Sequence, residues 1–78
     1  KILIYSDNST NDIVIKNNNN QTIKKVALYN LLGQKVEEWK NLEQKFETRL
    51  STNELSSAVY VIKLATDKGS ISKKIILK

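Results

Sequence analysis

The 78-residue sequence has no cysteine, no histidine, no methionine and no proline, and holds only two glycines and one tryptophan. Each absence removes a class of answer. Without Cys there is no disulfide framework to staple the fold, so a hydrophobic core must hold the chain unaided, and the redox compartment is left open. A domain of this length buries only about 60 to 65% of its unfolded surface, which makes its stability modest. Without His, Cys or Met the commonest transition-metal ligands are missing, together with the side chain that titrates near neutrality. Zinc, haem and Cys or His nucleophile chemistry are thereby excluded, and no cofactor is implied. No apolar run approaches the ~18 residues of a transmembrane segment, and no charged stretch leads into a short apolar one as in a signal peptide. Beginning at Lys1 without an initiator Met, residues 1–78 read as a single domain cut from something longer.

What the chain does have is charge, with a net value of +5. Clustered Lys and Arg would suit nucleic acid or an anionic membrane, because phosphate binding releases counterions. The distribution argues against this: Lys24, Lys25, Lys35, Lys40, Lys45, Lys73 and Lys74 are scattered, with Glu37, Glu38, Glu43, Glu47 and Glu54 interspersed through the middle third. A solvated surface whose lysines guard strand edges is the favoured reading, and no nucleic-acid partner is expected.

Apolar and polar residues alternate with period two, in segments about ten residues apart, which is the pattern of an all-β sandwich or barrel. The spacing predicts seven short strands, over Ile2 to Tyr5, Ile13 to Lys16, Ile23 to Tyr29, Gln34 to Trp39, Phe46 to Leu50, Val59 to Thr66 and Ser70 to Leu77. Asp7 to Asp12 and Asn17 to Gln21 are polar breaks, the latter holding the one low-complexity patch. Gly33 is placed to supply the positive φ of a tight hairpin, and Asp67-Lys68-Gly69 forms a second glycine turn. Ser51-Thr52-Asn53-Glu54 has capping-box spacing and predicts a single helical turn that tucks Leu55 under the sandwich edge. The strand from Val59 is apolar on both faces, with Tyr60, Ile62 and Leu64 on one side and Val59, Val61 and Ala65 on the other, and so belongs in the middle of a sheet. In the last strand Ile71, Ile75 and Leu77 share a face with Lys73, which requires either a snorkelling lysine or a bulge.

Candidate chemistry is thin. Asp7, Asn8, Asn11 and Asp12 could be taken for a calcium loop, but an EF-hand read from Asp7 needs Gly and Glu where Asp12 and Asn18 stand. Asn8-Ser9-Thr10 and Asn20-Gln21-Thr22 match the glycosylation tripeptide, a pattern that chance supplies freely in an Asn-rich chain. Glu37, Glu38, Glu43 and Glu47 could only serve as a hydrolytic pair across a cleft with one of them buried, and neither condition is signalled. No enzymatic activity is expected. The aromatics Tyr5, Tyr29, Trp39, Phe46 and Tyr60 raise the rival of a sugar-binding sandwich module. Tyr60 and Phe46 read as core, and Trp39, beside Lys40 and Asn41 at a strand end, is better placed for core or edge packing than for stacking on a ligand.

Three segments stand in a telling order: Val26-Ala27-Leu28-Tyr29-Asn30-Leu31-Leu32-Gly33-Gln34-Lys35-Val36, then Leu50 to Leu64 with Leu55-Ser56 before Val59-Tyr60-Val61-Ile62-Lys63-Leu64, then a closing Lys73-Lys74-Ile75-Ile76-Leu77-Lys78. The combination resembles the C-terminal sorting domain, type A, of the bacterial type IX secretion system of Bacteroidetes, over nearly the whole chain. Tyr5 through Ile15 fits that family's first block, with Ser6-Asp7-Asn8 in place of its usual Pro-Asn-Pro, and Ala58 replaces the usual Gly before Val59. The resemblance implies a small Ig-like β-sandwich of antiparallel strands at the end of a larger secreted protein. It implies a non-catalytic tag that carries an attached N-terminal cargo from the periplasm through the outer-membrane type IX translocon. A sortase-like peptidase then removes the tag, leaving the cargo secreted or on the cell surface. Recognition would fall on Gly33 and on Lys73, Lys74, Ile75, Ile76, Leu77 and Lys78. The alternative is an Ig-like carbohydrate- or protein-binding or spacer module of a surface protein.

Overall fold

The alternation of apolar and polar side chains produces two packed sheets. The structure is a computed structural model describing residues 2–17, 21–40 and 42–78. It contains β1 (Ile2–Asp7), β2 (Asp12–Asn17), β3 (Ile23–Tyr29), β4 (Lys35–Lys40), β5 (Glu47–Ser51), β6 (Ala58–Thr66) and β7 (Gly69–Leu77). There is no helix among the described residues. One sheet has the order β1-β2-β5 and the other β4-β3-β6-β7, with every neighbouring pair antiparallel. The chain thus makes a hairpin in the first sheet and one in the second, returns to the first for β5, and ends with a hairpin in the second. That is the connectivity of a small Ig-like β-sandwich.

Register puts the apolar sets face to face. In the three-stranded sheet Ile4, Ile15 and Thr48 form one inward row, and Ser6, Ile13 and Leu50 the next. In the four-stranded sheet the rows are Trp39, Val26, Leu64 and Ile71, then Glu37, Leu28, Ile62 and Lys73. Ile13, Ile15, Val26, Leu28, Ile62 and Leu64 are fully buried, and each such side chain contributes about 1.5–3 kcal/mol relative to exposure. The apolar strand β6 sits between β3 and β7, as its two-faced pattern predicts.

Tyr60 is buried with its ring in the core cluster, and its hydroxyl donates to the Ser56 carbonyl at 2.8 Å. A tyrosine whose hydroxyl ties back to the backbone just upstream is the corner device of immunoglobulin-type sandwiches. It satisfies the phenol where burial would otherwise penalise it.

Several local expectations change. Ser51 to Glu54 does not form a helical turn: the Ser51 hydroxyl accepts from the Asn53 amide, and the Leu55 amide closes a β-turn on the Thr52 carbonyl at 3.0 Å. Leu55 still packs against the core. Phe46, expected inside, is 56% exposed, because β5 begins one residue later and the ring falls outside the paired strand. Ile23 faces inward together with Val26 because a register shift between Ile23 and Lys25 inserts an extra residue into β3. Val14 is completely buried although it faces away from the core; Tyr5 and Arg49 flank it on the neighbouring strands. The middle of the Asn17 to Gln21 break, the EF-hand position at Asn18, the tripeptide asparagine Asn20 and the Asn41 neighbour of Trp39 lie outside the described residues.

Both glycine turns form. The Gly33 amide closes on the Asn30 carbonyl at 3.0 Å, the Asn30 amide bonds the Gln34 carbonyl at 2.9 Å, and Gly33 has φ +83°. That is a three-residue hairpin loop with glycine at its left-handed position. At the other turn Thr66 pairs with Gly69 across Asp67-Lys68, and Gly69 has φ +128°.

Candidate recognition site

The residues singled out in the last strand divide between the two sides of the sheet. Ile75 and Leu77 point inward and are buried, whereas Ile76 on the outer face is 53% exposed. Lys73 occupies the inward row beside Ile62, and the register of β6 with β7 runs without a shift. Of the two options for this lysine, the snorkel is the one realised. Its ammonium passes the edge of the core and donates to the Ile4 carbonyl of β1 at 2.6 Å.

That bond is one of a set. Ser6 Oγ donates to the Ile76 carbonyl at 2.8 Å, and the Lys78 amide donates to Asn8 Oδ1 at 3.3 Å. Partners on β1 and β7 rise in number together, so the two edge strands run parallel along a seam that closes one side of the sandwich. Side chains, not a backbone ladder, bridge it. On its outer surface lies a groove of ≈ 350 Å³ lined by Ile4, Tyr5, Ser6 and Asn8 on one side and by Lys73, Lys74, Ile75, Ile76 and Lys78 on the other. The structure therefore gathers most of the predicted recognition residues and adds to them Tyr5, Ser6 and Asn8.

Gly33 is not part of this groove. It lies at the β3–β4 hairpin, where a second hollow of ≈ 320 Å³ is bounded by Tyr29, Asn30, Leu31, Val61 and Lys63. In register Tyr29 pairs with Val61 and Val61 with Lys74, so the two hollows share a level of the sheet and meet on the adjacent strands β6 and β7. Leu31 and Leu32 at the hairpin tip are both exposed. Asn30 Oδ1 accepts from the Leu32 and Gln34 amides and holds the tip in shape.

Electrostatics separate the lysines into two populations. Glu38 on β4 meets Lys35 at 3.2 Å, Lys25 at 3.4 Å and Lys40 at 3.8 Å. Hydrogen bonding from Lys35, aided by Lys25, holds its carboxyl below the ordinary carboxylate range. Lys16 and Lys45 have glutamate partners as well. Lys24, Lys63, Lys68, Lys73, Lys74 and Lys78 have no ion-pair partner among the described residues, and three of these six fall in or just after β7.

On the outer face of the three-stranded sheet, the only arginine, Arg49, bonds Glu47 at 2.8 Å and both Asp7 and Asp12 at 3.3 Å. Its guanidinium is held more firmly protonated than usual, chiefly by Glu47 and then by Asp7 and Asp12. Asp7 is lowered by the Ser9 hydroxyl and then by Arg49. The carboxylates that suggested a calcium loop thus serve an arginine. Among the described residues no three of His, Cys, Asp and Glu gather as a metal site. Trp39 packs against the core cluster, as expected for edge packing. No helix among the described residues is long and apolar enough to cross a membrane.

Tyr5, Ser6 and Asn8 could not have been attached to the last strand from sequence. The bonds of Ser6 and Asn8 to that end of the chain span about seventy residues, and no periodicity reports which edges of two sheets will meet. No curated protein matches the chain. A family model described as the secretion system C-terminal sorting domain matches residues 4–78, which takes in β1 from Ile4 onward, the other six strands, both glycine turns and the bonded β1–β7 seam. The chain belongs to the family of type IX secretion C-terminal sorting domains, signals that direct the protein bearing them out of the cell or to its surface.

Proposed function

We propose that residues 1–78 are the terminal domain of a larger secreted protein, and that the domain acts as a folded export address whose reader engages β7. The attached N-terminal cargo would pass from the periplasm through the outer-membrane type IX translocon. A sortase-like peptidase would then detach the domain. The observation that carries this reading is the family match across the entire sandwich. It is supported by an edge strand whose lysines have no carboxylate partner and which offers an exposed isoleucine beside them. The Gly33 hairpin, with its exposed Leu31 and Leu32, is the second surface such a reader would touch. No role in catalysis is assigned to any side chain.

The alternative of a sugar-binding or spacer module draws less support, because Trp39, the ring best suited to stacking, is committed to the core. The test is a fusion of this chain to a reporter cargo in a bacterium with a working type IX system. The expected result is reporter in the medium or on the surface without the domain attached. Deleting Ser70 to Lys78 should retain the reporter inside. Since that deletion also removes core residues, a Lys74→Glu/Lys78→Glu variant with an intact fold serves as the second probe. Export unimpaired by both changes would overturn the assignment of β7.

A further inference from the structure

We propose that the edge of β7 from Ser70 to Lys74, which the β1 bridges to Ile76 and Lys78 leave open, and the adjoining β1–β7 groove dock an extended, acidic segment of a partner protein by strand addition. The inference deepens the reading of β7 as the recognition element and rests on it.

The backbone argument comes first. In an antiparallel pair the residues alternate between those bonded to the neighbouring strand and those whose amide and carbonyl point away. The Ile76 carbonyl accepts from Ser6 on β1, so Ile76 points away from β6, and Ser70, Ser72 and Lys74 share that direction. β7 is an edge strand nine residues long with an unshifted register and no proline. Of the devices by which edges usually resist pairing it keeps an inward lysine, Lys73, which is already bonded to Ile4, and lacks a bulge, a kink or shortness. Beyond the stretch bridged to β1, Ser70 and Ser72 have side chains small enough to let another backbone approach. Edge addition of this kind takes affinity from main-chain bonds and specificity from alternate side chains.

The charge argument selects the occupant. Lys73 already donates to Ile4, which leaves Lys74 and Lys78 to meet a ligand beside the exposed Ile76 and the part-exposed Tyr5. No Asp or Glu side chain lines the groove. A segment alternating acidic and apolar residues matches both properties. A second copy of this chain is a poorer match, since two molecules each carrying +5 repel, although Glu37 and Glu54 do line a hollow near Leu55. Nucleic acid is poorer too, because the one arginine is held by three carboxylates and only Lys74 and Lys78 remain at the groove to meet phosphates.

The experiment is an NMR titration of the chain with a short peptide alternating valine and glutamate, with its valine–lysine counterpart, and with single-stranded oligo-dT. The acidic peptide should shift and protect the Ser70, Ser72 and Lys74 amides. Its affinity should fall about tenfold as salt rises from about 0.05 to about 0.5 M. The basic peptide should bind far more weakly, and Lys74→Glu/Lys78→Glu should abolish the effect while circular dichroism stays unchanged. Equal binding of both peptides, perturbations confined to β4 or β5, or preference for the oligonucleotide would each overturn the proposal. So would self-association that Glu37→Lys/Glu54→Lys removes. If the wild-type chain ignores the acidic peptide while the lysine variant still loses export, the docking chemistry is wrong and the sorting reading survives. If the peptide binds and export ignores the lysines, β7 docks a partner unrelated to sorting and the reading of β7 as the export address fails.

Discussion

The two edges of the four-stranded sheet, β4 and β7, are built from similar residue types and end in different states. Each strand carries one charge on its inward face in the same row, Glu37 on β4 and Lys73 on β7, separated by the fully buried Leu28 and Ile62. An inward charge at an edge discourages uncontrolled pairing, because an arriving strand would bury it. Beyond that shared device the edges diverge. On the outer face of β4, Glu38 draws in three lysines, Lys35 and Lys40 of its own strand and Lys25 of β3, whereas at β7 Lys74 and Lys78 stand unpaired beside an exposed Ile76. The contrast teaches that lysine on an edge has two uses. Tied to a glutamate it seals a surface, and left free it advertises one.

The largest effect expected is at the residue both edges depend on. Ile62→Ala should cost about 3 kcal/mol, read from urea unfolding, because it opens a cavity in the middle of the shared row. Against the roughly 4–12 kcal/mol expected of a domain this size, that removes about a quarter to three quarters of the stability. A loss below about 1 kcal/mol would mean that the row does not link them.

A smaller effect separates the hairpins leading to each edge. An added Cβ meets no atom within 4 Å at either Gly33 or Gly69, so substitution there registers backbone strain alone. Gly69→Ala, at φ +128°, should cost about 2 kcal/mol, and Gly33→Ala, at φ +83°, about 1 kcal/mol. Equal losses would show that the β7 turn is no more constrained than the β4 turn.

The smallest effect sharpens the electrostatic half of the comparison. Glu38 and Asp7 both titrate below their ordinary values of 4.5 and 3.8 in the folded chain. Their contribution is therefore complete above those ordinary values and lost as pH falls through the depressed ones, so stability rises with pH across the acid range. Glu38→Gln and Asp7→Asn should each flatten the dependence of the urea midpoint between about pH 3 and pH 6, while Lys74→Gln should leave it unchanged. A flattened slope in the β7 variant would reveal an ion pair there.

Much of the architecture was legible because strand alternation is a local property. The number of strands, the central position of β6, the Gly33 and Gly69 turns and the inward set from Ile13 to Leu64 all follow from period two and two glycines. Where local reading failed, a neighbour distant in sequence decided the outcome. Phe46 alternates correctly with Glu47 and Thr48, yet pairing of β5 with β2 begins at Glu47 and leaves the ring outside. The capping-box spacing at Ser51 to Glu54 suits a helical start, but Thr52 is tied to the Asn11 carbonyl through both amide and hydroxyl and holds the segment as a turn. The corner bond of Tyr60 to Ser56 spans only four residues and could have been sought from the Ser56 to Tyr60 spacing.

By itself the sequence determined an all-β sandwich without disulfides and without His, Cys or Met to ligate a transition metal, because composition and alternation act over a few residues at a time. Only the tertiary structure decided that the parallel edges β1 and β7 close one side through Lys73, Ser6 and Lys78, and which lysines keep a carboxylate. Those outcomes depend on where seven strands stand after two sheets have packed, and the energy that sets it comes from core contacts distributed over the whole chain. The charge pattern of the seam is a by-product of that packing, and it is the feature a partner can read.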